Sequence, residues 1–166
     1  TVTAIAKRSR MSQSNAYRFF RNKDELMIAL ATRWFEPILA RFDVLASDNL
    51  TPHEKLMSAV LDCLDIYTEH HRKTPRRFHG YMSLSKAYPE AIIPHVLYMH
   101  KHLTGWVEDV MAEAGQPEAR NEAAGRLFLD MTLLFRNPNL LALYPDDATP
   151  ARAARTVRAY IEFVSS

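Results

Sequence analysis

The residues with the greatest chemical reach stand at the start of the chain. Residues 1–23 hold Lys7, Arg8, Arg10, Arg18, Arg21 and Lys23 and no Asp or Glu, a local charge of +6 in a chain whose net charge is +2. The remaining residues therefore sum to −4. A short basic head on a mildly acidic body is the pattern of a nucleic-acid-binding module joined to a part with another task, although such a run of cations also suits a solvated face. Among the cations lie Gln13, Ser14, Asn15 and Tyr17. Arg, Asn and Gln can pair bidentately with base edges. A Tyr hydroxyl and a Lys ammonium can each sit against a phosphate.

Other chemistries find little support. His95 and His102 are seven apart and share a helical face, His70 and His71 are adjacent, and no His-x-x-x-His pair or Glu-flanked zinc signature occurs. No metal and no cofactor is expected. A Gly-rich phosphate loop and a serine elbow are both missing, so an enzyme is not expected. The alternatives to a DNA-binding protein are a helical protein-interaction or ligand-binding module and, more weakly, a His-dependent enzyme. Cys63 is the single cysteine, which excludes an internal disulfide and fits a reducing, cytoplasmic setting. The longest run without a charged residue is Ala91 to His100, well short of the ~20 apolar residues a membrane helix needs. No membrane partner is therefore expected.

The elements that must position these residues read as helices throughout. Of 166 residues 48% are hydrophobic, and glycine occurs only four times. That is too few turn residues for a sandwich of short strands. An all-α chain of about eight helices is predicted. A first short segment holds Ile5, Ser9-Arg10-Met11 turns the chain, and Ser12 can cap a second short helix with Ala16 and Phe20 on its inner face. Asn22 caps a third helix, acidic in its first turn, reaching about Phe42 with Leu26, Leu30, Trp34 and Ile38 as its apolar line and Pro37 as a possible bend. Thr51-Pro52 with Glu54 forms a capping box for a helix whose stripe is Leu56, Val60, Leu64 and Tyr67. Pro75 opens a helix to about Ala87, and Pro89 a long one to about Ala114, ended by Gly115. One further helix is predicted over 118–136, then a loop through Asp147, then a last helix from Thr149 and Pro150 to about Phe163.

Two short helices, a tight turn and a long third helix suggest a helix-turn-helix whose second helix enters the major groove. The run from Ile5 to Leu26, with its Ile5-Ala6-Lys7 helix, Tyr17-Arg18-Phe19-Phe20 and Asn22-Lys23-Asp24-Glu25-Leu26 in that order, resembles the DNA-binding motif of the TetR family. Arg10 stands where such sequences often carry glycine in the turn. The resemblance covers about 25 residues and implies a further helix ahead of Thr1. It implies a helix-turn-helix domain over residues 1–45 and a larger helical effector-binding and dimerisation domain over 46–166. The implied function is a dimeric transcriptional regulator, most often a repressor, released from a palindromic double-stranded operator by a small molecule. On this resemblance Gln13, Ser14, Tyr17 and Arg18 face DNA, Lys23 meets a phosphate, and Thr3 touches the backbone.

The resemblance also implies a pocket and a dimer face in the body. Tyr67, His70, Phe78, Tyr81, Met82, Tyr98, His102, Trp106, Phe128 and Met131 offer an apolar lining with a few polar tips, suited to a lipophilic ligand of unknown identity. Each is equally readable as ordinary core. The dimer face is expected on the last two helices, through Leu127, Met131 and Leu134 on one and Val157, Ile161 and Val164 on the other. Together these would build a four-helix interface between two copies. These stripes can instead pack on their own core.

Overall fold

The computed structural model describes residues 20–166. The segment 1–19, which carries both short helices of the expected reader, lies outside the described residues. The described residues are all-helical, with no strand among them. The helices are α1 (Lys23–Ser47), α2 (Pro52–Lys73), α3 (Pro75–Ala87), α4 (Pro89–Glu113), α5 (Asn121–Met131), α6 (Leu133–Arg136), α7 (Pro138–Leu143) and α8 (Pro150–Ser165), with a 3-10 turn over Glu118–Arg120. None is long and apolar enough to cross a membrane.

Local chemistry sets most boundaries. The Asn22 side chain accepts from the Glu25 amide at 2.8 Å, closing the first turn of α1. Thr51 and Glu54 cap α2 reciprocally: Thr51 accepts from the Glu54 amide, and the Glu54 carboxylate accepts from the Thr51 amide at 2.9 Å. Thr149 does the same one-way service for α8, accepting from the Arg152 amide. Gly115 has φ +67, and the bonds from the Gly115 amide to Ala112 and from the Gln116 amide to Met111 complete a Schellman end for α4.

Four expectations need correction. Helix α1 runs on to Ser47, past the expected end near Phe42, because Phe42 and Leu45 continue its buried stripe. That stripe is Leu26, Met27, Ala31, Phe35, Ile38, Phe42 and Leu45; Leu30 is exposed and Trp34 only half-buried. Strict four-residue steps rotate about 40° away from a face each time, whereas alternating three and four stays on it. The helix expected over 118–136 is broken at Thr132, which takes φ −98 and ψ 3. Its hydroxyl donates to the Phe128 carbonyl at 2.7 Å, and Arg136 folds back over the break. The expected loop after Arg136 contains α7, because Asn137 accepts from the amides of Asn139 and Leu140 and Pro138 starts a new helix.

Helix α2 is the centre of the body, packed against α1, α3, α4, α6, α7 and α8. Its Leu56, Val60, Leu64 and Tyr67 are buried as the stripe required, with Ala59 and Cys63 beside them. Helices α1 and α4 run the same way, since Phe35 packs on His95 and Phe42 on His102, both partners advancing by seven. Helix α8 is fastened to α5 by the Tyr160 hydroxyl, which donates to the Ala124 carbonyl at 2.8 Å, and by Tyr160 edge-on against Phe128. Helices α4 and α5 approach closely at Gly125, where a Cβ would lie 3.1 Å from Thr104 Cγ2.

Candidate functional site

Of the six expected DNA contacts, Thr3, Gln13, Ser14, Tyr17 and Arg18 lie outside the described residues, and Lys23 lies within them. Lys23 is exposed and opens α1. Its ammonium sits 4.8 Å from the centre of the Tyr88 ring, a cation–π contact. Tyr88 is the hinge residue between α3 and α4. Around it Phe20, Leu26, Met27 and Leu84 form a small apolar cluster, and Leu84 and Tyr88 also touch the main core. The start of α1 is thereby joined through packed side chains to the α3–α4 turn.

The ten candidate ligand residues separate into groups. Tyr67, His70, Phe78 and Tyr81 gather around Trp34, whose ring stacks on Tyr81 at 4.2 Å and lies 4.9 Å from His70. Tyr98, His102 and Trp106 form a second group, with His102 and Trp106 against Phe42. The Tyr98 hydroxyl donates to Asp43, which raises the Tyr98 pKa. Phe128 is buried against Tyr160, Met82 is half-buried on the core, and Met131 is exposed. Both adjacent histidines meet aromatic rings, His70 against Trp34 and His71 against Phe78.

Two clefts stand out among the described residues. One, of about 490 Å³, is lined by Thr104, Glu108, Glu118, Asn121, Glu122, Gly125 and Arg126. The other, of about 220 Å³ and almost wholly apolar, is lined by Ser85, Pro89, Ile92, Ile93, Val96, Leu97 and His100 between α3 and α4. None of the ten candidates lines either cleft. No family model matches this chain, and no characterised protein matches it by sequence.

Burial controls the ionisable groups of the body. It pushes the Tyr67, Tyr81 and Tyr160 hydroxyls up and the Cys63 thiol to about 12. It holds the His70, His95 and His100 imidazoles below the usual histidine range, and the Arg136 charge lowers His100 further. Among the described residues no group of three or more His, Cys, Asp or Glu is placed to hold a metal.

The expected dimer residues also divide. Leu127 and Met131 are exposed, Leu134 and Ile161 are half-buried, and Val157 and Val164 are buried within the chain's own core. Exposed Leu133 and Phe163 add apolar surface on α6 and α8. Sequence reasoning missed the part played by Trp34 at the centre of its ring cluster and overlooked Arg136. No periodicity flags a buried arginine, which ordinarily marks a polar face.

Proposed function

We propose that the chain is a DNA-binding transcriptional regulator of the TetR type, acting as a homodimer on a roughly palindromic operator and released by a small lipophilic ligand. The observation that carries this reading is the run Ile5 to Leu26, whose residue order resembles the family's reader and which holds the chain's concentration of positive charge. Supporting it, α1 begins at the edge of that run and then passes through the body, burying Phe35, Ile38 and Phe42 against its neighbours. A change in body packing that tilts α1 would alter the spacing of two readers set about one DNA turn apart. The Lys23–Tyr88 contact and the apolar cluster beside it give the α3–α4 turn a direct hold on the same end of α1. A ligand acts only through its different affinities for the two body states. The exposed Leu127, Met131, Leu133 and Phe163 supply apolar surface for a second copy.

The test is a salt titration of duplex binding. Each neutralised phosphate contributes a slope of roughly −0.9 in log affinity against log salt, so several contacts per dimer predict a steep fall between about 50 and 200 mM salt. Replacement of Lys23 by Ala should make the slope shallower by about one unit per protomer and weaken all duplexes alike. An affinity indifferent to salt and to Lys23 would contradict the proposal.

A further inference from the structure

Helix α3 concentrates positive charge within an otherwise acidic body. Residues 70–89 hold Arg72, Lys73, Arg76, Arg77 and Lys86 and no Asp or Glu, a local charge of +5, whereas residues 24–69 and 90–166 together carry −9. The inner side of α3 is Phe78 and Tyr81, with Met82 and Leu84 half-buried beside them. The opposite side is Arg76, His79, Gly80, Ser83 and Lys86, which recur at three- and four-residue steps and are all exposed. A solvated helix face ordinarily intersperses both signs. Elsewhere the body does so: Arg41 pairs with Asp62, Lys73 with Glu69, Arg126 with Glu122 and Arg152 with Asp147. Among the described residues Arg76, Arg77 and Lys86 form no ion pair. Glu69, the last acid before the run, is taken up by Lys73 and also acts on Arg72.

The placement of these cations does not serve the helix itself. Arg76 and Arg77 stand in the first turn of α3, which has neither a capping side chain nor an acid, and cations there oppose the helix dipole. Gly80 lies in the middle of the outer face, where a Cβ would meet nothing within 4 Å. A glycine inside an exposed helix costs stability; here it leaves the centre of a cationic face open to close approach. The face begins beside the joint between the expected reader and the body. Phe20 shares an apolar cluster with Leu84 and Tyr88, and Lys23 lies over the Tyr88 ring. Lys86 is two residues from Tyr88, and α3 lies back along α1, with Tyr81 on Trp34, so Arg76 is farthest from that joint. Arg76 to Lys86 spans about 15 Å, the axial length of about four base pairs. We infer that the outer face of α3 is a second, sequence-independent contact to the phosphate backbone of the duplex that the reader holds. A row of donors without an acid complements the dense negative charge of a duplex. Contacts of this kind strengthen binding to all sequences alike. The inference rests on the reading of the chain as a DNA-binding protein.

The experiment titrates the full chain into a labelled pool of random-sequence duplexes about 30 base pairs long, roughly three helical turns, with affinity read by anisotropy between about 50 and 200 mM salt. The double variant Arg76→Ala with Lys86→Ala should bind with a salt slope shallower by about two units per protomer, one for each phosphate contact removed. Gly80→Glu provides an independent arm. Its side chain enters open space, and Glu is a better helix former than Gly, so the melting temperature should hold or rise. The new carboxylate in the centre of the face should nonetheless weaken duplex binding at least ~10-fold at the low-salt end. Wild-type slope and affinity in either variant would overturn the inference and leave the operator reading standing, as expected if the face meets an acidic protein instead. Failure of the wild-type chain to bind any duplex would overturn the DNA-binding reading and this inference with it.

Discussion

Cys63 provides a quantitative probe of the centre of the body. It is the single cysteine of the chain and is 1% exposed on α2. Burial pushes its thiol from the ordinary 9.0 to about 12. Only the thiolate reacts with an alkylating reagent. At pH 8 a three-unit rise in pKa cuts the thiolate fraction about 1,000-fold, so a reagent that reached the native site would still react about 1,000-fold slowly. The other route is unfolding. At the lower end of ordinary domain stability, about 5 kcal/mol, fewer than one chain in a thousand is open. Iodoacetamide should thus label the native chain at least about 1,000-fold more slowly than the chain in concentrated urea, as followed by mass. The linked stability has a definite sign. The folded state favours the neutral thiol, so the contribution is complete below the unfolded pKa near 9 and is lost as pH rises toward about 12. Native labelling within about tenfold of the denatured rate at pH 8 would refute the packing of α2 described above.

Further outcomes follow from other contacts. Thr51→Ala removes the cap of α2 and should cost about 1 kcal/mol, or roughly 2–4 °C in a thermal melt. Gly125→Val should destabilise by about 1–3 kcal/mol in urea unfolding, because Thr104 is held by bonds to the His100 and Lys101 carbonyls and cannot yield to a larger side chain. His70, His95 and His100 are kept neutral by burial, so the unfolded chain takes up their protons first as pH falls. Melting temperature should therefore drop from pH 7 to pH 5, and a rise over that range would contradict the burial. Tyr88→Ala removes the ring beneath Lys23 and a side chain that also packs on the main core, so it should lower the melt modestly and weaken duplex binding several-fold at temperatures where circular dichroism shows the chain folded, read by anisotropy.

What was legible in the sequence was the chemistry that acts within a few residues. Asn22, Thr51, Gly115 and Thr149 announce helix ends because a side chain or a positive φ satisfies nearby backbone groups. The break at Thr132 was not legible, since Arg136 reaches back four and seven residues to stabilise it inside the core. Helix α7 was hidden because Asn137-Pro138 both stops one helix and starts the next. The aromatic residues were recognised as a class, but their division between Trp34 and Phe42 depends on how α1 crosses α2, α3 and α4. A local pattern does not specify that crossing. For the same reason Val157 and Val164 read as an outward stripe yet fill the interior.

The measurement that bears most directly on the central claim is selection of bound duplexes from a random pool by the full-length protein at low salt, followed by sequencing. The account predicts a two-fold symmetric consensus with half-sites about one helical turn, ~34–36 Å, apart. Enrichment of no sequence would contradict it.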